Sequence, residues 1–353
     1  MRVIGLMSGT SLDGIDLVCC DFSASDNKYS YVVSYSKCIK YNADWKEKLN
    51  QAIELTAIEL QLLDIELAEK FSKEINLFIE ENNIENVDLI SSHGHTIFHQ
   101  PSKKLSLQIG AGHIIANTCK IDTVCDFRKE DVAKGGQGAP LVPIGDQFLF
   151  SIYDYCLNIG GIANVSFQIN DKRIAYDICA ANMVFNHYAN QKNLEFDEDG
   201  LLASSGEINT ELLDRLNSLE YYQLPFPKSL GKEWVFENII TTIDQFEISI
   251  ENKLRTFTEH IALQIAANCS TWGDSRTNML VTGGGAYNKF LIERIQSQTS
   301  TEIIIPDTIT VDFKEAIIFA FLGYLKYNNI NNCLASVTGA SYDHSSGVIY
   351  RYQ

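Results

Sequence analysis

The sequence is poor in positive charge and has no long apolar run. Lysine and arginine number 28 against 45 aspartate and glutamate residues, so the formal net charge is −17. A nucleic-acid surface needs clustered lysine and arginine, so we expect no nucleic-acid partner. No stretch of about eighteen apolar residues occurs, and the first residues lack the pattern of a signal peptide. We therefore expect a cytoplasmic protein without a membrane partner.

The cysteine pattern lacks any paired motif. Nine cysteines are present, which is an odd number, and no Cys-x-x-Cys spacing occurs among them. Scattered cysteines of this kind are typical of reduced, buried thiols. We therefore expect neither disulfide bonds nor a structural zinc site.

The length of the chain indicates more than one domain. Its 353 residues exceed what one hydrophobic core usually serves, and a hydrophobic content of 45% can fill two cores. The glycine- and proline-rich segment 135–143 is typical of an irregular connection, so we expect the first domain boundary near it.

A glycine-containing turn follows the first predicted strand. Residues 2–6 and 17–22 have the apolar pattern of strands, and Gly9 and Gly14 between them would allow the backbone to approach an anion closely. Hydroxyl and carboxylate side chains in the same turn could bind phosphate or magnesium. An ordinary hairpin with polar turn residues is the alternative interpretation of this stretch alone.

Two further glycine turns follow predicted strands in the second half of the chain. Gly160 and Gly161 lie between apolar runs at 155–159 and 164–169, which suggests an internal duplication. Residues 283–285 separate a predicted strand at 279–282 from a predicted helix that begins near Asn288. Close backbone approach and the helix dipole would both favour a nucleotide there.

Histidines and one arginine follow predicted strands in the first half. His93, His95 and His99 come after a strand predicted at 87–92, but without a helical metal-binding spacing they are more typical of hydrogen-bonding residues than of metal ligands. Arg128 follows a strand predicted at 121–125 and could bind a carboxylate or phosphate through its planar fork. An ordinary surface arginine is the alternative at that position.

The order and wording of these segments resemble one enzyme family. The opening segment Gly5-Leu-Met-Ser-Gly-Thr-Ser-Leu-Asp-Gly-Ile-Asp16 is similar to the signature of the 1,6-anhydro-N-acetylmuramic acid kinases, within the actin, hexokinase and Hsp70 superfamily. Similar blocks continue along nearly the whole chain, at 92–101, 126–128, 135–143, 157–164, 281–288 and 315–316.

The resemblance implies a fold as well as a site. It implies an α/β protein of two actin-like (ribonuclease H-like) domains, each with a mixed five-stranded sheet flanked by helices, and an ATP cleft between them. With the composition, this places the first domain at residues 1–130 plus 330–353 and the second at 131–329. A homodimer is conceivable on the same grounds.

The activity that the resemblance implies uses ATP, Mg²⁺ and water. The anhydro-sugar would become N-acetylmuramic acid 6-phosphate, with hydrolysis of the 1,6-anhydro ring coupled to phosphorylation of oxygen 6, in peptidoglycan recycling. The family pattern makes Asp177, at the end of a predicted strand, the base that activates water. A carboxylate that caps the following helix is the alternative interpretation of Asp177.

The resemblance also assigns the binding residues. Thr96, Arg128 and Asn182 would bind the sugar, and Asp13, Asp16 and Glu315 would lie on the metal side. Glu315 falls in the first turn of a helix predicted at 313–327, where a carboxylate also complements the dipole. The residues that would bind nucleotide are Gly9, Thr10, Ser11, Leu12, Asp13, Gly14, Ile15, Asp16, Gly160, Gly161, Gly283, Gly284 and Gly285.

One segment departs from the family pattern. After the catalytic aspartate the family commonly has Thr-Gly-Pro and a small residue, whereas this chain has Ile178-Cys-Ala-Ala181. The change leaves two alternatives open: a kinase or ATPase of the same superfamily with a different substrate, and a nucleotide- or sugar-binding sensor without turnover.

Overall fold

The computed structural model describes residues 1–26, 28–269 and 277–353. The chain divides into two compact units: unit 1 comprises Met1–Phe150 and Phe313–Gln353, and unit 2 comprises Ser151–Asp312. These boundaries differ from those expected after residues 130 and 329. Residues 143–150 belong to unit 1 because a Cβ at Gly145 would collide with Ile318, and because the Asp146 carboxylate lies 2.7 Å from the Lys314 ammonium.

The secondary structure alternates between strands and helices. In the described ranges the strands are β1 (Arg2–Ser8), β2 (Gly14–Ser25), β3 (Lys28–Lys40), β4 (Leu89–Gln100), β5 (Leu105–Ile109), β6 (Thr123–Cys125), β7 (Tyr155–Ile159), β8 (Ile162–Ile169), β9 (Lys172–Ala180), β10 (Asn278–Thr282), β11 (Glu302–Ile304) and β12 (Val348–Tyr350). The α-helices there are α1 (Ala43–Gln51), α2 (Ala57–Glu81), α3 (Gly112–Cys119), α4 (Lys129–Ala133), α5 (Pro143–Phe148), α6 (Asn182–Asn190), α7 (Leu201–Ser205), α8 (Thr210–Asn217), α9 (Glu220–Gln223), α10 (Lys232–Trp234), α11 (Thr241–Asp244), α12 (Ile250–Cys269), α13 (Lys289–Gln298), α14 (Thr308–Tyr327) and α15 (Ala335–Thr338). A π-helical segment, Val235–Ile240, joins α10 to α11.

The two sheets share one topology. In unit 2 the order is β11-β10-β7-β8-β9, where β7, β8 and β9 are antiparallel and β7, β10 and β11 are parallel. In unit 1 the strands β6-β4-β1-β2-β3 repeat this order and these directions. An antiparallel meander extended by two parallel strands is the arrangement expected of ribonuclease H-like domains, so the fold prediction is confirmed.

The sheet of unit 1 is larger than expected. It has seven strands, because β5 pairs antiparallel with the second half of β4 and β12 pairs antiparallel with β6. The prediction of five strands was therefore wrong for unit 1. β5 and β12 both pair with strands of the common order, so they extend the shared topology without interrupting it.

Helices cover the sheet of unit 1 because their apolar residues recur at helical spacing. In α2, which begins at a capping box formed by Thr56 and Glu59, the buried residues include Leu60, Leu63, Leu67, Phe71 and Phe78. In α14, Phe319 and Phe321 are almost completely buried. Among the described residues, no helix has both the length and the apolar character that crossing a bilayer requires.

Candidate active site

The β1–β2 turn is a tight turn with exposed polar side chains. The Leu12 amide donates a hydrogen bond to the Gly9 carbonyl at 3.2 Å, and Leu12 has a φ of 61°. The side chains of Thr10, Ser11 and Asp13 are exposed. A Cβ at Gly9 would meet no other residue closer than 3.6 Å, so space remains there for a ligand.

Gly14 has a different role from the one expected. A Cβ at Gly14 would collide with the carbonyl oxygen of Ile39 on β3, and its next contact would be 2.9 Å away. Glycine is therefore required there by the close pairing of β2 and β3. The freedom of approach that we predicted for both glycines is present at Gly9 only.

A buried network of hydrogen-bonded side chains lies next to the β1–β2 turn. Ser8 is fully buried, and its Oγ lies 2.8 Å from the Tyr41 hydroxyl and 3.0 Å from His95 Nδ1. Burial lowers the pKa of His95 to about 4, so its ring is neutral near pH 7. Sequence reasoning missed this network because its members are far apart in the chain. Ser8 had been considered only as a hydroxyl donor of the turn, and His95 only as one of three histidines.

Asp16 and Glu315 lie within electrostatic range of each other. Desolvation by the surrounding protein atoms raises the pKa of Glu315. The Arg128 guanidinium lowers this pKa, and the Asp16 carboxylate raises it further. Glu315 is nevertheless exposed to solvent, so water screens part of the shift. Carboxylate oxygens are the ligands that Mg²⁺ prefers in proteins, so the chemistry of Asp16 and Glu315 is compatible with a magnesium ion.

The position of Glu315 in its helix differs from the prediction. α14 begins at Thr308, not near residue 313, so Glu315 is not in the first turn. An interaction with the helix dipole therefore does not explain this carboxylate, because the dipole acts only within the first and last turns.

The Arg128 guanidinium is held in a fixed orientation. Its Nε and Nη2 donate to His93 Nε2 at 3.2 and 2.9 Å, and its Nη1 donates to the Gly138 carbonyl at 2.7 Å. Burial and the Arg128 charge lower the pKa of His93 to about 3, which keeps Nε2 available as an acceptor. His93 therefore orients an arginine instead of binding a metal.

Thr96 lies in the same strand as His93. The predicted strand 87–92 is in fact β4, which continues to Gln100, so the residues from His93 to Thr96 are part of a strand and not of a loop beyond it. Thr96 Oγ1 accepts a hydrogen bond from Gln108 Nε2 on β5 at 3.4 Å. Pairing with β5 therefore positions Thr96.

Unit 2 brings its two glycine turns together. The carbonyls of Gly160 and Gly161 accept hydrogen bonds from the first amides of α6, and Asn182 Nδ2 donates to the Ile159 carbonyl at 3.2 Å. A Cβ at Gly285 would collide with the Ile159 side chain, and one at Gly283, where φ is 81°, would lie 2.8 Å from the Ile159 carbonyl oxygen. Glycine at 283 and 285 therefore allows this turn to pack on the β7–β8 turn.

Asp177 lies at an irregularity of β9. Ala163 pairs with Cys179 and Asn164 with Asp177, so Ile178 is an extra residue that bends the strand locally. The Leu230 amide donates to Asp177 Oδ2 at 2.8 Å. Burial raises the pKa of the Asp177 carboxyl, and this hydrogen bond lowers it in part. The segment 228–230 therefore positions the carboxylate.

The capping interpretation of Asp177 is excluded. β9 continues past Asp177 to Ala180, and the residue at the N-cap of α6 is Ala181, which makes no side-chain capping bond. Oδ1 of Asp177 accepts no hydrogen bond within the described ranges. A half-buried carboxylate with a raised pKa and an available oxygen can act as a general base.

Comparison with known proteins gives the family. A family model described as anhydro-N-acetylmuramic acid kinase matches residues 1–352. The chain belongs to this family. Two relatives carry the name anhydro-N-acetylmuramic acid kinase: one from Vibrio cholerae is 35% identical, over 98% of this chain and 97% of the relative, and one from Mannheimia succiniciproducens is 34% identical, over 98% of each. The resemblance of the sequence blocks to this kinase family is thereby confirmed.

A solved structure with a similar backbone is component A of (R)-2-hydroxyglutaryl-CoA dehydratase from Acidaminococcus fermentans. It is 11% identical, with a TM-score of 0.46 over 93% of this chain and 99% of that chain.

Proposed function

We propose that the chain uses ATP and water to convert 1,6-anhydro-N-acetylmuramic acid to N-acetylmuramic acid 6-phosphate, as a step of peptidoglycan recycling. The observation that carries this proposal is the combination of the full-length family match with Asp177, a half-buried carboxylate whose Oδ1 is available. A protein that only bound nucleotide would have no need for such a base.

Asp177 would begin the reaction. Its carboxylate takes a proton from water while the water oxygen bonds to the anomeric carbon of the sugar. The bond between that carbon and oxygen 6 breaks, and oxygen 6 attacks the γ-phosphorus of ATP. The bond from that phosphorus to the bridging oxygen of ADP breaks in turn, so one proton remains on Asp177 and ADP leaves.

The remaining residues would hold the reactants. The turn from Gly9 to Asp16 and the turn at Gly160 and Gly161 would both bind the phosphates of ATP. Residues 283–285 would contact its nucleoside. A bound Mg²⁺ would supply neutralisation of phosphate charge, and the oxygens of Asp13, Asp16 and Glu315 would hold it, partly through water.

Three polar side chains would bind the sugar. Arg128 would bind its lactyl carboxylate through N–H groups that His93 and Gly138 leave available, since those contacts use three of its five donors. Thr96 would bind a sugar hydroxyl. Asn182, whose Nδ2 donates to Ile159, would accept from the sugar through Oδ1.

The departure from the family pattern is consistent with this substrate. Ile178, Cys179, Ala180 and Ala181 have no accessible surface and belong to the hydrophobic core of unit 2. Their side chains therefore change the packing beneath Asp177 without presenting new groups to a ligand. For this reason we favour the family substrate over a different sugar.

An ADP-release assay with the anhydro-sugar and Mg²⁺ tests the proposal. We expect turnover by the wild type and a kcat lower by about 10²–10⁴-fold in Asp177→Asn, the usual contribution of a general base. Asp171→Asn is the matched control, because Asp171 is exposed in the β8–β9 turn and we expect no loss there. ATP affinity should be equal in all three proteins.

The outcomes separate the alternatives. A wild type that binds ATP and sugar in calorimetry but releases no ADP would be a sensor. A wild type that turns over another sugar faster would be a kinase of different specificity. Equal rates for wild type and Asp177→Asn would refute the assignment of the base.

A further inference from the structure

A buried cluster in unit 1 contains three side chains with different metal-binding atoms. Asp131 of α4, Cys333 and His344 each offer one ligand atom, and these atoms lie within 4.8 Å of one another. All three residues are buried, with exposures of 0%, 2% and 4% respectively. None of the three residues is one to which we assign binding of sugar or ATP, but Arg128, which we assign to the sugar, lies nearby.

Secondary structure fixes the three residues relative to one another. Cys333 and His344 are paired residues of an antiparallel bridge, and each donates its amide hydrogen to the carbonyl of the other. Asn332, next to this bridge, donates to the carbonyls of Leu322 and Ser346. Asp131 Oδ1 accepts from Thr338 Oγ1 at 2.7 Å, and its Oδ2 accepts from the Gly138 amide at 2.6 Å.

One ring nitrogen of His344 makes no hydrogen bond to the part of the chain that the structure describes. Its Nδ1 lies 3.0 Å from the Tyr342 carbonyl and therefore carries the proton. Its Nε2 is buried and has no hydrogen-bond partner among the described residues. The nearest carboxylate oxygen, Asp131 Oδ1, is 3.6 Å away, which is too far for a hydrogen bond even if Nε2 were protonated.

A cation explains this arrangement better than a proton does. A tetrahedral centre with bonds of ~2.0–2.2 Å to nitrogen and oxygen places those two atoms roughly 3.3–3.5 Å apart, close to the separation between His344 Nε2 and Asp131 Oδ1. A histidine that binds metal usually donates its other N–H to a carbonyl or carboxylate, as Nδ1 does to Tyr342. Asp131 is fully buried, and a neighbouring cation stabilises a buried carboxylate.

We propose that Asp131, Cys333 and His344 bind one divalent cation of the zinc class in unit 1. Thiolate, imidazole and carboxylate together favour zinc over magnesium or calcium, which prefer oxygen ligands alone. Two anionic ligands and one neutral ligand would balance a double positive charge. This proposal replaces the expectation, drawn from the absence of Cys-x-x-Cys, that the chain has no structural zinc.

The site would connect α4 to the segment 333–344 and would support Arg128. Gly138 donates its amide to Asp131, while its carbonyl accepts from Arg128 Nη1. The cation would thereby fix the loop that orients the guanidinium. Only this consequence rests on the proposed function, and binding of the metal does not.

Elemental analysis of the full chain tests the site without any assay of activity. The wild type, expressed with zinc in the medium and purified without chelator, should carry about one zinc per chain. Cys333→Ser and His344→Gln should carry almost none. Cys119→Ser is the control, because Cys119 is buried in unit 1 away from the cluster and its thiol donates to the Ser72 carbonyl, which serine can also do. A metal-free wild type, or full retention in the two ligand variants, would overturn the proposal.

Cobalt substitution keeps the test decisive if the variants do not fold. Wild type grown with cobalt should show a thiolate-to-cobalt charge-transfer band in the near ultraviolet, and X-ray absorption should show one sulfur ligand with nitrogen and oxygen ligands. Bound cobalt without a sulfur ligand would also overturn the site.

Discussion

Two opposing effects act on the pKa of the Asp177 carboxyl. Burial raises the pKa of its carboxyl and the Leu230 amide lowers it, with a net increase. Because only the ionised carboxylate can accept a proton, kcat/KM for the anhydro-sugar should fall as the pH drops through this raised pKa.

The expected acid limb therefore lies above the pH at which an ordinary aspartate titrates. Rates measured from about pH 4 to pH 8 would show it, provided that intrinsic fluorescence establishes a folded protein over the same range. An acid limb at or below the ordinary aspartate value would contradict the assignment.

Arg128 is a second residue whose geometry predicts a specific defect. In Arg128→Lys the planar fork is lost, so the bond to the sugar carboxylate and the contact with His93 cannot both be kept. Loss of one hydrogen bond to a charged group costs about 1.5–3 kcal/mol, so KM for the sugar should rise about 10–100-fold.

Steady-state kinetics in both substrates measures this effect. KM for ATP should not change, and Arg351→Lys, at an exposed arginine paired with Asp122, should leave both constants as they are. An equal rise in both KM values in Arg128→Lys would indicate a general structural role instead.

At the scale of elements, two glycines of the segment from Gly5 to Asp16 differ in whether a larger side chain would fit. A Cβ at Gly5 would collide with the Ala316 carbonyl oxygen of α14 and would lie 2.9 Å from the Ala320 Cβ, whereas one at Gly9 would come no closer than 3.6 Å to another residue. We expect Gly5→Ala to lower the free energy of unfolding by about 1–3 kcal/mol, because β1 and α14 must separate.

Urea unfolding of Gly5→Ala and Gly9→Ala measures this contrast. Gly9→Ala should stay within about 0.5 kcal/mol of the wild type, but it should bind ATP more weakly because its methyl group occupies the space proposed for phosphate. Equal stability of the two variants would show that α14 can move away from β1 at little cost.

Periodicity predicted the elements whose sequence is strongly patterned. Apolar residues between 56 and 82 recur at the three- and four-residue spacing that predicts a helix, and α2 is Ala57–Glu81, because burial on one face fixes that spacing. The second half of β4 was missed, since its polar residues from His93 to Gln100 are stabilised by pairing with β5, a contact that a local pattern does not encode. The start of α14 was placed too late for a similar reason: Thr308–Asp312 has little periodicity.

The candidate site was predictable where function itself constrains the sequence. The glycine turns and Asp177 were predicted because their residue types and order resemble those of the family, and their roles stay predictions. Residues that only position others could not be recognised in the sequence. Examples are His93, which accepts from Arg128, and Leu230, whose amide donates to Asp177. The cluster of Asp131, Cys333 and His344 was hidden as well, because α4 and the bridge near residue 333 meet only in the folded chain.

At the scale of the whole molecule, the two units differ in how the chain builds them. Unit 2 is one continuous segment, Ser151–Asp312, with its own core, whereas unit 1 needs Phe313–Gln353 to complete Met1–Phe150. A fragment of residues 151–312 should therefore unfold cooperatively in urea. A fragment of residues 1–150 should not, because it lacks the buried aromatic residues of α14.

A fusion of the two segments of unit 1 provides the control. Residues 1–150 joined by a glycine- and serine-rich linker to residues 313–353 should regain a cooperative transition. A cooperative transition in residues 1–150 alone would mean that α14 and β12 are dispensable for this core.

The discontinuous construction of unit 1 also sets an order of events on the ribosome. When Phe150 leaves the exit tunnel, β1 lacks the helix that packs against it near Ala316. Synthesis of the rest takes roughly 10–40 s at ~5–20 residues/s, which is ample time for unit 2 to fold. Unit 1, although made first, would be the last to close, so the apolar face of its sheet would stay exposed during that interval and could be bound by a chaperone.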